Sequence, residues 1–405
     1  MDNSFKQKLQ EREFQALKDK YRVALKWATG CGKSKMVIDL INHAAVNNYT
    51  GNKPVKVLFV VAERAHIKNW QNELEKWAYR SDKIASYIIC YASLKKEIGS
   101  EYDIVVFDEA HHAFTEKRMD IIKTIQSSYV YLLSATLPSS KIEEMEEIYG
   151  KFTTSTVTLK DAIKNDILPD PRIYVIKLEL DDNRKNQSIV IGKAEKNKNI
   201  PIIKWEDRNA YVFRNKPCII RCTQKQKYEF LTSRMEYWKR RYQMSHNEYQ
   251  KNQWVSLGSQ RKRFIGELKT DYVKKLISTL PSRTRFVCFC ATVAQANELS
   301  ETNTISSKRP SNLNQAIIDA FNKKKLSQIY AVGMITEGMN LTNIEAGIIT
   351  QLDGKERLFV QKAGRVLRAD EPVAYIFYYK NTQDEVYLKN ALENIDSKYV
   401  KYMNQ

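Results

Sequence analysis

Short apolar runs alternate with stretches of helical periodicity along most of the chain. The first part contains "KVLFVVA", "SYIICYA", "DIVVFDEA" and "YVYLLSAT", and the last part contains "TRFVCFCAT", "SQIYAVGM", "EAGIITQL" and "VAYIFYYK". Continuous apolar runs of this length are typical of parallel strands that are buried on both faces and connected by helices. The two separate sets predict an α/β protein with two lobes, each built on a parallel sheet that helices cover.

The spacing of these sets gives the expected domain boundaries within 405 residues. The first lobe is predicted over residues 1–165, and the second lobe over residues 284–405, ending in a helix. Residues 166–283 are predicted to form a linker and a basic, mainly helical accessory region. Its first part, "DDNRKNQSIVIGKAEKNKN", is polar and charged, which is typical of an exposed loop, whereas "QKQKYEFLTSRMEYWKRRYQ" is compatible with a long helix.

The segment "ALKWATGCGKSKMVIDLINHAAV" joins a predicted strand to a predicted helix through a glycine-rich turn. Gly30 and Gly32 would let backbone N–H groups surround phosphate oxygens, at the positive end of the helix. Lys33 would then neutralise the β- and γ-phosphates, and the Ser34 hydroxyl would bind Mg²⁺. Trp27 replaces the first glycine of the strict P-loop pattern, so an ordinary glycine-rich turn is the alternative interpretation.

Two adjacent carboxylates follow the strongly apolar run in "YDIVVFDEAHHAF". A strand that ends in Asp108 and Glu109 can deliver both carboxylates to the edge of a sheet where phosphates bind. Asp108 would hold Mg²⁺, and Glu109 would orient and activate the attacking water. The sequence therefore predicts nucleotide hydrolysis in the first lobe.

The charge of the chain points to a polyanionic partner. Lysine and arginine total 66 against 47 acidic residues, which gives a net charge of +19. Between residues 221 and 285 cations outnumber carboxylates about three to one, and aromatic residues lie between them. This composition suits phosphate neutralisation and base stacking, or else a helical insert whose aromatics pack and whose charges are merely solvated. The candidate contacts to nucleic acid here are Lys239, Arg240, Arg241, Arg261, Lys262 and Arg263.

Six cysteines leave two interpretations open. Cys218 with Cys222 and Cys288 with Cys290 have the number of ligands that a zinc site needs. However, "RFVCFCAT" has the pattern of a buried strand with both cysteines on one face, which favours free thiols in the core.

The amino terminus, "MDNSFKQKLQEREFQ", is too polar for a signal peptide, and no apolar run reaches the length of a membrane span. We therefore expect a cytoplasmic protein with no membrane partner. The richness in Lys, Asn, Ile and Tyr suits an AT-rich genome, and a compact chain of this kind suits a phage or its bacterial host.

The motifs "ATGCGKS", "DEAH" and "SAT", in this order, resemble the first lobe of a superfamily 2 helicase. "GMITEGMNL" and "QKAGRVLR" resemble motifs of its second lobe, so the resemblance covers nearly the whole chain except the basic middle region. It implies two RecA-like lobes, ATP and Mg²⁺ as cofactors, and hydrolysis stimulated by nucleic acid. It also implies that arginines of the second lobe reach the nucleotide only when the lobes close.

The resemblance assigns roles to individual residues. The catalytic set is Lys33, Glu109, Gln361, Arg365 and Arg368. The ATP-binding set is Gln15, Thr29, Gly30, Cys31, Gly32, Lys33, Ser34 and Gly338, with Ser34 and Asp108 as Mg²⁺ ligands. The set that couples nucleotide to nucleic acid is His111, Ser134, Thr136 and Thr336.

Two further segments resemble parts of the same family. In "EREFQALKDK", Gln15 would bond the adenine edge, and a glutamine on a helix surface is the alternative. "FVVAERAHIKNWQNELEKW" resembles the segment that touches the nucleic-acid backbone, which makes Arg64 a candidate contact, whereas Trp70 is interpreted as a core residue.

The kind of nucleic acid that the protein acts on is inferred from the same resemblance. "IICYASLKKEIGSEYDIVVFDEAHHAF" and "VTLKDAIKNDILPDPRI" are most similar to DNA-acting members, namely the motors of type I and type III restriction enzymes, phage recombination helicases and chromatin-remodelling translocases. We therefore expect a DNA translocase or helicase. An RNA helicase would share every catalytic residue, and a clamp that only binds nucleic acid would have no need of Glu109, Arg365 and Arg368 together.

Overall fold

The computed structural model describes residues 4–47, 53–78, 81–192, 200–212, 214–333, 341–352, 371–393 and 395–403. In these ranges the chain forms two parallel sheets covered by helices and one small mixed sheet. None of the helices described there is both long enough and apolar enough to cross a bilayer.

The first sheet has six parallel strands in the order β3-β2-β4-β5-β1-β6. The strands are β1 (Arg22–Trp27), β2 (Val55–Val61), β3 (Ile84–Cys90), β4 (Glu101–Phe107), β5 (Gln126–Leu133) and β6 (Thr153–Val157). The helices are α1 (Ser4–Leu17), α2 (Lys33–Asn47), α3 (Arg64–Trp77), α4 (Glu116–Ile122), α5 (Ser139–Tyr149) and α6 (Leu159–Lys164), with 3₁₀ turns at Ser81–Lys83, Tyr91–Glu97 and Ala110–His112.

Helices cover both faces of this sheet, which explains why its strands are apolar throughout. In β1, Leu25 and Trp27 belong to the apolar cluster on the side of α2, whereas Ala24 belongs to the cluster on the side of α5. A strand that is buried on both faces needs apolar residues at consecutive positions. The two lobes predicted from the apolar runs are therefore confirmed as parallel α/β units.

The second sheet has seven parallel strands in the order β12-β13-β11-β14-β15-β7-β16. Its strands are β7 (Arg172–Leu178), β11 (Phe286–Phe289), β12 (Thr304–Ser306), β13 (Gln328–Val332), β14 (Ala346–Ile349), β15 (Val373–Tyr379) and β16 (Val400–Met403). Its helices are α11 (Val293–Leu299), α12 (Ser311–Asn322) and α13 (Gln383–Leu392), with a 3₁₀ turn at Ser397–Tyr399.

Strand β7 changes the domain boundary that the sequence predicts. It lies within the predicted linker region, yet it pairs with β15 along seven positions and with β16 on its other side. The second lobe therefore begins its sheet more than 100 residues before residue 284, and the accessory region is an insertion into that lobe. Pairing between strands so distant along the chain leaves no local signal in the sequence.

The inserted region contains a small sheet and four helices. The sheet has the order β8-β10-β9, built from β8 (Gln187–Ile191), β9 (Ile202–Ile203) and β10 (Cys218–Cys222). The helices are α7 (Arg208–Val212), α8 (Gln224–Ser245), α9 (Glu248–Glu267) and α10 (Thr270–Thr279). The segment predicted as an exposed loop thus contains β8, whereas the prediction of a mainly helical stretch from residue 221 onward is confirmed.

Helices α8 and α9 form a hairpin whose base packs on the second sheet. Tyr228 and Leu231 of α8 and Phe264 and Ile265 of α9 are buried in one cluster with Phe377 of β15. Thr223 begins α8 with a capping box, in which its side chain accepts from the backbone N–H of Gln226. The hairpin is therefore anchored to the second lobe at its base.

Candidate active site

The phosphate loop lies between β1, which ends at Trp27, and α2, which begins at Lys33. Gly30 and Gly32 have φ angles of 97° and 91°, a region that side chains with a Cβ rarely adopt. A Cβ on Gly32 would lie 2.2 Å from Gln10 Nε2. Lys33 Nζ donates to the carbonyl oxygen of Trp27 at 2.8 Å. The loop therefore has the backbone form of a phosphate cradle, with the lysine folded back against it.

Helix α1 lies directly over this loop. Gln10 is only 6% exposed, and its Nε2 has no hydrogen-bond partner among the described residues. Lys6, one turn earlier, donates from Nζ to the carbonyl oxygen of Gly30 at 2.8 Å. Gln15 is exposed on the same helix. Gln10 thus lies beside the loop, whereas Gln15 lies on another face of the helix five residues along, and its assignment to the adenine stays a prediction.

Cys31 lies in the loop with a fully buried side chain. Burial raises the pKa of this thiol to about 11, although the nearby ammonium groups of Lys33 and Lys6 oppose the shift. The thiol is therefore neutral at physiological pH, and we expect this residue, like Thr29, to contribute backbone groups to the loop.

The carboxylate of Asp108 is held from two sides at the end of β4. Its Oδ1 accepts from the backbone N–H of Glu109 at 3.0 Å, and its Oδ2 accepts from Trp70 Nε1 at 2.9 Å. Tyr91 donates from its hydroxyl to the Asp108 carbonyl oxygen at 3.1 Å. Burial, and secondarily the charges of Asp108 and Glu109, raise the pKa of Tyr91 well above its ordinary value, so that it stays a donor.

Glu109 has a φ of 45°, a left-handed conformation that is uncommon outside glycine and concentrated at functional sites. Its Oε2 lies 3.4 Å from His111 Nδ1, which also lies 3.4 Å from Ser134 Oγ. The same Ser134 Oγ accepts from the backbone N–H of Thr136, and the Ser134 N–H donates to Leu25 in β1. The sequence motifs "DEAH" and "SAT" are thus brought together at the carboxyl edge of the sheet.

These groups fit a magnesium nucleotide. The glycine turn opens backbone N–H groups at the start of α2, and Ser34 lies in its first turn. Mg²⁺ prefers oxygen ligands and is usually held by one or two carboxylates together with substrate phosphates, which matches a single aspartate beside a phosphate loop. The buried, unpaired Nε2 of Gln10 offers a further donor to a polar group above the loop.

The four cysteines considered as zinc ligands do not come together. Cys288 and Cys290 are buried in the core of the second sheet, with their sulfur atoms 3.7 Å apart. Cys218 and Cys222 are buried in the separate core of the small sheet. This arrangement agrees with the interpretation of the cysteines as thiols in the core.

Arg64 lies at the start of α3, in an open groove of about 580 Å³ between α3 and the edge strand β3. Arg64 and Lys68 are exposed, and Lys96 lines the other side together with the partly apolar wall formed by Ile88 and Ile89. The groove therefore carries at least three cations beside the carboxyl edge of the sheet.

The cations of the hairpin fall into two groups. Lys239, Arg240 and Arg241 are exposed on α8, and Arg263 is exposed on α9, with Lys262 half-buried. Arg261 is only 8% exposed, and its Nη1 donates to Thr232 Oγ1 at 3.0 Å while the guanidinium lies over the Tyr228 ring. The assignment of Arg261 as a nucleic-acid contact is therefore wrong, because this side chain points into the hairpin.

The aromatic residues of the hairpin mostly pack against each other. Trp238 of α8 meets Tyr249 of α9 with ring centroids 5.8 Å apart, and Tyr242 stacks on Trp254 at 6.0 Å. Tyr237 and Tyr249 are nevertheless 52% and 62% exposed. Of the two interpretations of these aromatics, internal packing describes Tyr242 and Trp254 best.

The remaining predicted site residues lie outside the described residues. They are Thr336 and Gly338 of the coupling segment, and Gln361, Arg365 and Arg368 of the arginine segment.

The fold and the site together define a two-lobed phosphate-loop protein. Residues 3–139 match the family model of the type III restriction enzyme res subunit, and residues 268–370 match the helicase conserved C-terminal domain. The two models together cover more than half of the chain, in the expected order, and the chain belongs to the superfamily 2 helicases. No curated protein sequence matches it.

Solved structures share the fold at low sequence identity. Dbp5 from S. cerevisiae, bound to RNA and ADP BeF3, matches with a TM-score of 0.56 at 12% identity, over 98% of this chain and 89% of that chain. The helicase domain of Hef from Pyrococcus furiosus matches with a TM-score of 0.52 at 12% identity, over 96% of this chain and 99% of that chain. These similarities support two RecA-like lobes.

Proposed function

We propose that the protein is an ATP-dependent DNA helicase or translocase, which couples ATP hydrolysis to movement along DNA or to remodelling of duplex or branched DNA. The observation that carries the proposal is the carboxyl edge of the first sheet. There the glycine turn, the Asp108–Glu109 pair and the contact between His111 and Ser134 lie on neighbouring strands.

Nucleotide binding begins at the loop. Lys33 would leave the Trp27 carbonyl and turn its ammonium group to the β- and γ-phosphates, whose oxygens would accept hydrogen bonds from the loop N–H groups. Ser34 and Asp108 would hold Mg²⁺, which would neutralise charge on these phosphates. Gln10 would donate from its buried Nε2 to an acceptor on the adenine, the role that the sequence assigned to Gln15.

Hydrolysis needs a base and a cation at the γ-phosphate. Glu109 would accept a proton from the attacking water, and His111 would link this carboxylate to Ser134 and Thr136. Arg365 and Arg368 of the second lobe would stabilise charge on the transferring phosphoryl group, an effect worth about 10³–10⁵ in rate in related systems. Because these arginines belong to the other lobe, hydrolysis would require closure of the lobes. Once ATP is hydrolysed, the lobes would open again.

DNA would run over the α3 groove and beside the hairpin. Arg64 and Lys68 supply cations in the groove, and Lys239, Arg240 and Arg241 supply them on the hairpin. The sequence favours DNA through its resemblance to restriction-enzyme motors, and the family model of the first lobe supports this choice. An RNA helicase is the second candidate, because Dbp5, one of the similar structures, is bound to RNA.

The test is the ATPase rate in the presence of single-stranded DNA, duplex DNA, branched DNA and RNA, measured in parallel. We expect duplex or branched DNA to stimulate hydrolysis most. Glu109→Gln serves as the control, since it should bind ATP normally while hydrolysis collapses. Strongest stimulation by RNA would favour the second candidate, and a chain that hydrolyses no ATP with any of the four would overturn the proposal.

A further inference from the structure

Trp70 of α3 bonds the carboxylate that is assigned to Mg²⁺. Its side chain is 3% exposed and packs against Phe59 of β2, with ring centroids 4.7 Å apart. Its Nε1 donates to Asp108 Oδ2 at 2.9 Å. The residue thus belongs to the core, as the sequence indicated, but its one polar atom faces the catalytic edge of the sheet.

The hydrogen bond from Trp70 restricts the orientation of the Asp108 carboxylate. An ionised carboxylate has about four acceptor positions. Trp70 occupies one on Oδ2, and the Glu109 N–H occupies one on Oδ1, so the plane of the Asp108 carboxylate is fixed while positions on each oxygen remain available. A buried indole N–H needs an acceptor, and here the acceptor is a proposed metal ligand.

We propose that Trp70 is a positioning residue that orients the Asp108 carboxylate for Mg²⁺. The proposal rests on the proposed function for the role of Asp108. Trp70 acts through Asp108, in the way that outer partners of metal ligands hold those ligands in place, and loss of such partners typically lowers metal affinity or activity about 10- to 100-fold. Without the N–H, the carboxylate rotates about its Cβ–Cγ bond, and part of the binding free energy of the ion is spent on fixing it.

The same helix provides a matched control. Trp77 is half-buried, and its Nε1 donates to Glu73 Oε2 at 3.0 Å, one turn earlier in α3. Trp77→Phe therefore removes an indole N–H from the same helix, together with the same amount of ring, without changing a contact of Asp108. Trp70→Phe and Trp70→Leu both keep an apolar side chain against Phe59 and remove the N–H, and Trp70→His keeps a ring N–H.

The experiment measures how much Mg²⁺ is needed for tight binding of a fluorescent, non-hydrolysable ATP analogue, followed by anisotropy without nucleic acid. We expect the half-saturating Mg²⁺ concentration to rise about 10-fold in Trp70→Phe and Trp70→Leu, to recover in part in Trp70→His, and to stay at the wild-type value in Trp77→Phe. At saturating Mg²⁺ the ATPase kcat of Trp70→Phe should return close to the wild-type value, which a change at a catalytic group would not allow.

A Mg²⁺ dependence of Trp70→Phe that equals that of Trp77→Phe would overturn the proposal. Thermal unfolding identifies a variant that fails to fold, and Trp70→Leu then takes the place of Trp70→Phe in the comparison. The titration involves no hydrolysis, so a protein that binds Mg²⁺ and nucleotide but never turns over would refute the proposed function while the Trp70 effect was still measured.

Discussion

A glutamine and two glycines shape the phosphate loop at the scale of single residues. Gly32 has a left-handed φ that strains any residue with a Cβ, and a Cβ there would also lie 2.2 Å from Gln10 Nε2, so that the amide would have to move. A side-chain amide that is buried without a partner costs about 1–3 kcal/mol, a cost that an acceptor on a bound nucleotide would offset. The loop and α1 therefore form one binding surface.

We predict that Gln10→Ala weakens ATP binding about 10-fold, because it removes a buried donor at the loop. Gln15→Ala is the matched control on the same helix, and its exposed side chain should leave the affinity unchanged. The measurement is the Kd of ATP by calorimetry with magnesium present. Loss of affinity in Gln15→Ala instead of Gln10→Ala would restore the assignment made from the sequence.

At the scale of elements, the α8–α9 hairpin carries one buried cation, Arg261, and several exposed cations that are proposed to bind nucleic acid. The base of the hairpin packs on the second sheet through Tyr228 and Phe264, and Arg261 is buried there against Tyr228. Lys239, Arg240 and Arg241 lie farther along α8 and are exposed. Aromatic residues such as Trp254 pack between the two helices and so serve the hairpin itself. We therefore expect the hairpin to contact nucleic acid through its exposed cations, which would bind phosphates.

Reversal of charge at Lys239, Arg240 and Arg241 should weaken DNA binding. Each lost phosphate contact removes about one unit from the slope of log K against log salt. Basal ATPase should survive, because these residues are remote from the loop along the chain. Arg261→Met is the control, which should lower the unfolding temperature and leave the salt slope intact. Triple variants with unchanged affinity and slope would make the hairpin a spacer.

A buried ion pair joins the insertion to the second lobe. Lys269, between α9 and α10, is fully buried, and its Nζ lies 2.6 Å from Asp384 Oδ2 and 2.6 Å from the Thr350 carbonyl oxygen. Removing one partner of such a pair leaves an uncompensated buried charge. The pair therefore fixes α10 against α13 and the end of β14.

We predict that Lys269→Met destabilises the protein by about 3–5 kcal/mol, because the Asp384 carboxylate loses its counter-ion. The double variant Lys269→Met with Asp384→Leu should regain most of this loss, since neither charge is left. Denaturant unfolding measures both values. Equal stability of the single and double variants would show that the pair contributes through packing instead of charge.

At the scale of the whole molecule, the described residues that are proposed to act in hydrolysis all lie in the first lobe. Lys33, Asp108, Glu109 and His111 are positioned by strands of one sheet. The arginines proposed to complete the site belong to the second lobe. If these arginines complete the site as proposed, closure of the lobes is a condition of turnover, so that ATP would hold the lobes together and hydrolysis would release them.

Arg368→Ala and Arg365→Ala should therefore lower kcat far more than they lower DNA affinity. The arginines act after both ligands have bound, and stabilisation of the transferring phosphoryl group is their main contribution. Thr336 and Gly338 substitutions should instead reduce the stimulation of ATPase by DNA. The comparison is ATPase rate against DNA concentration, and identical curves for the two classes would refute this division of roles.

Much of the active site could be predicted from sequence because its chemistry is local. A glycine turn before a lysine and a carboxylate pair after an apolar strand each place their groups within a few residues. The same holds for the parallel sheets, whose apolar runs report burial on both faces. The family comparison supports these interpretations across both lobes.

Sequence periodicity alone left open which face of a helix is covered and which strands pair. Gln10 and Gln15 are both glutamines on α1, and only the position of the loop beneath the helix distinguishes them. In the same way Arg261 is buried because α8 lies beside it, although its neighbours in sequence are charged.

The sequence by itself determined the class of fold, the glycine turn before α2 and the Asp108–Glu109 pair at the end of β4, since each is written in contiguous residues. Tertiary structure alone decided that β7 belongs to the second sheet, that Gln10 lies over the loop, and that Trp70 holds Asp108. These features join residues that are far apart along the chain. They follow from packing and hydrogen bonding in three dimensions, where free energy depends on contacts that no local pattern records.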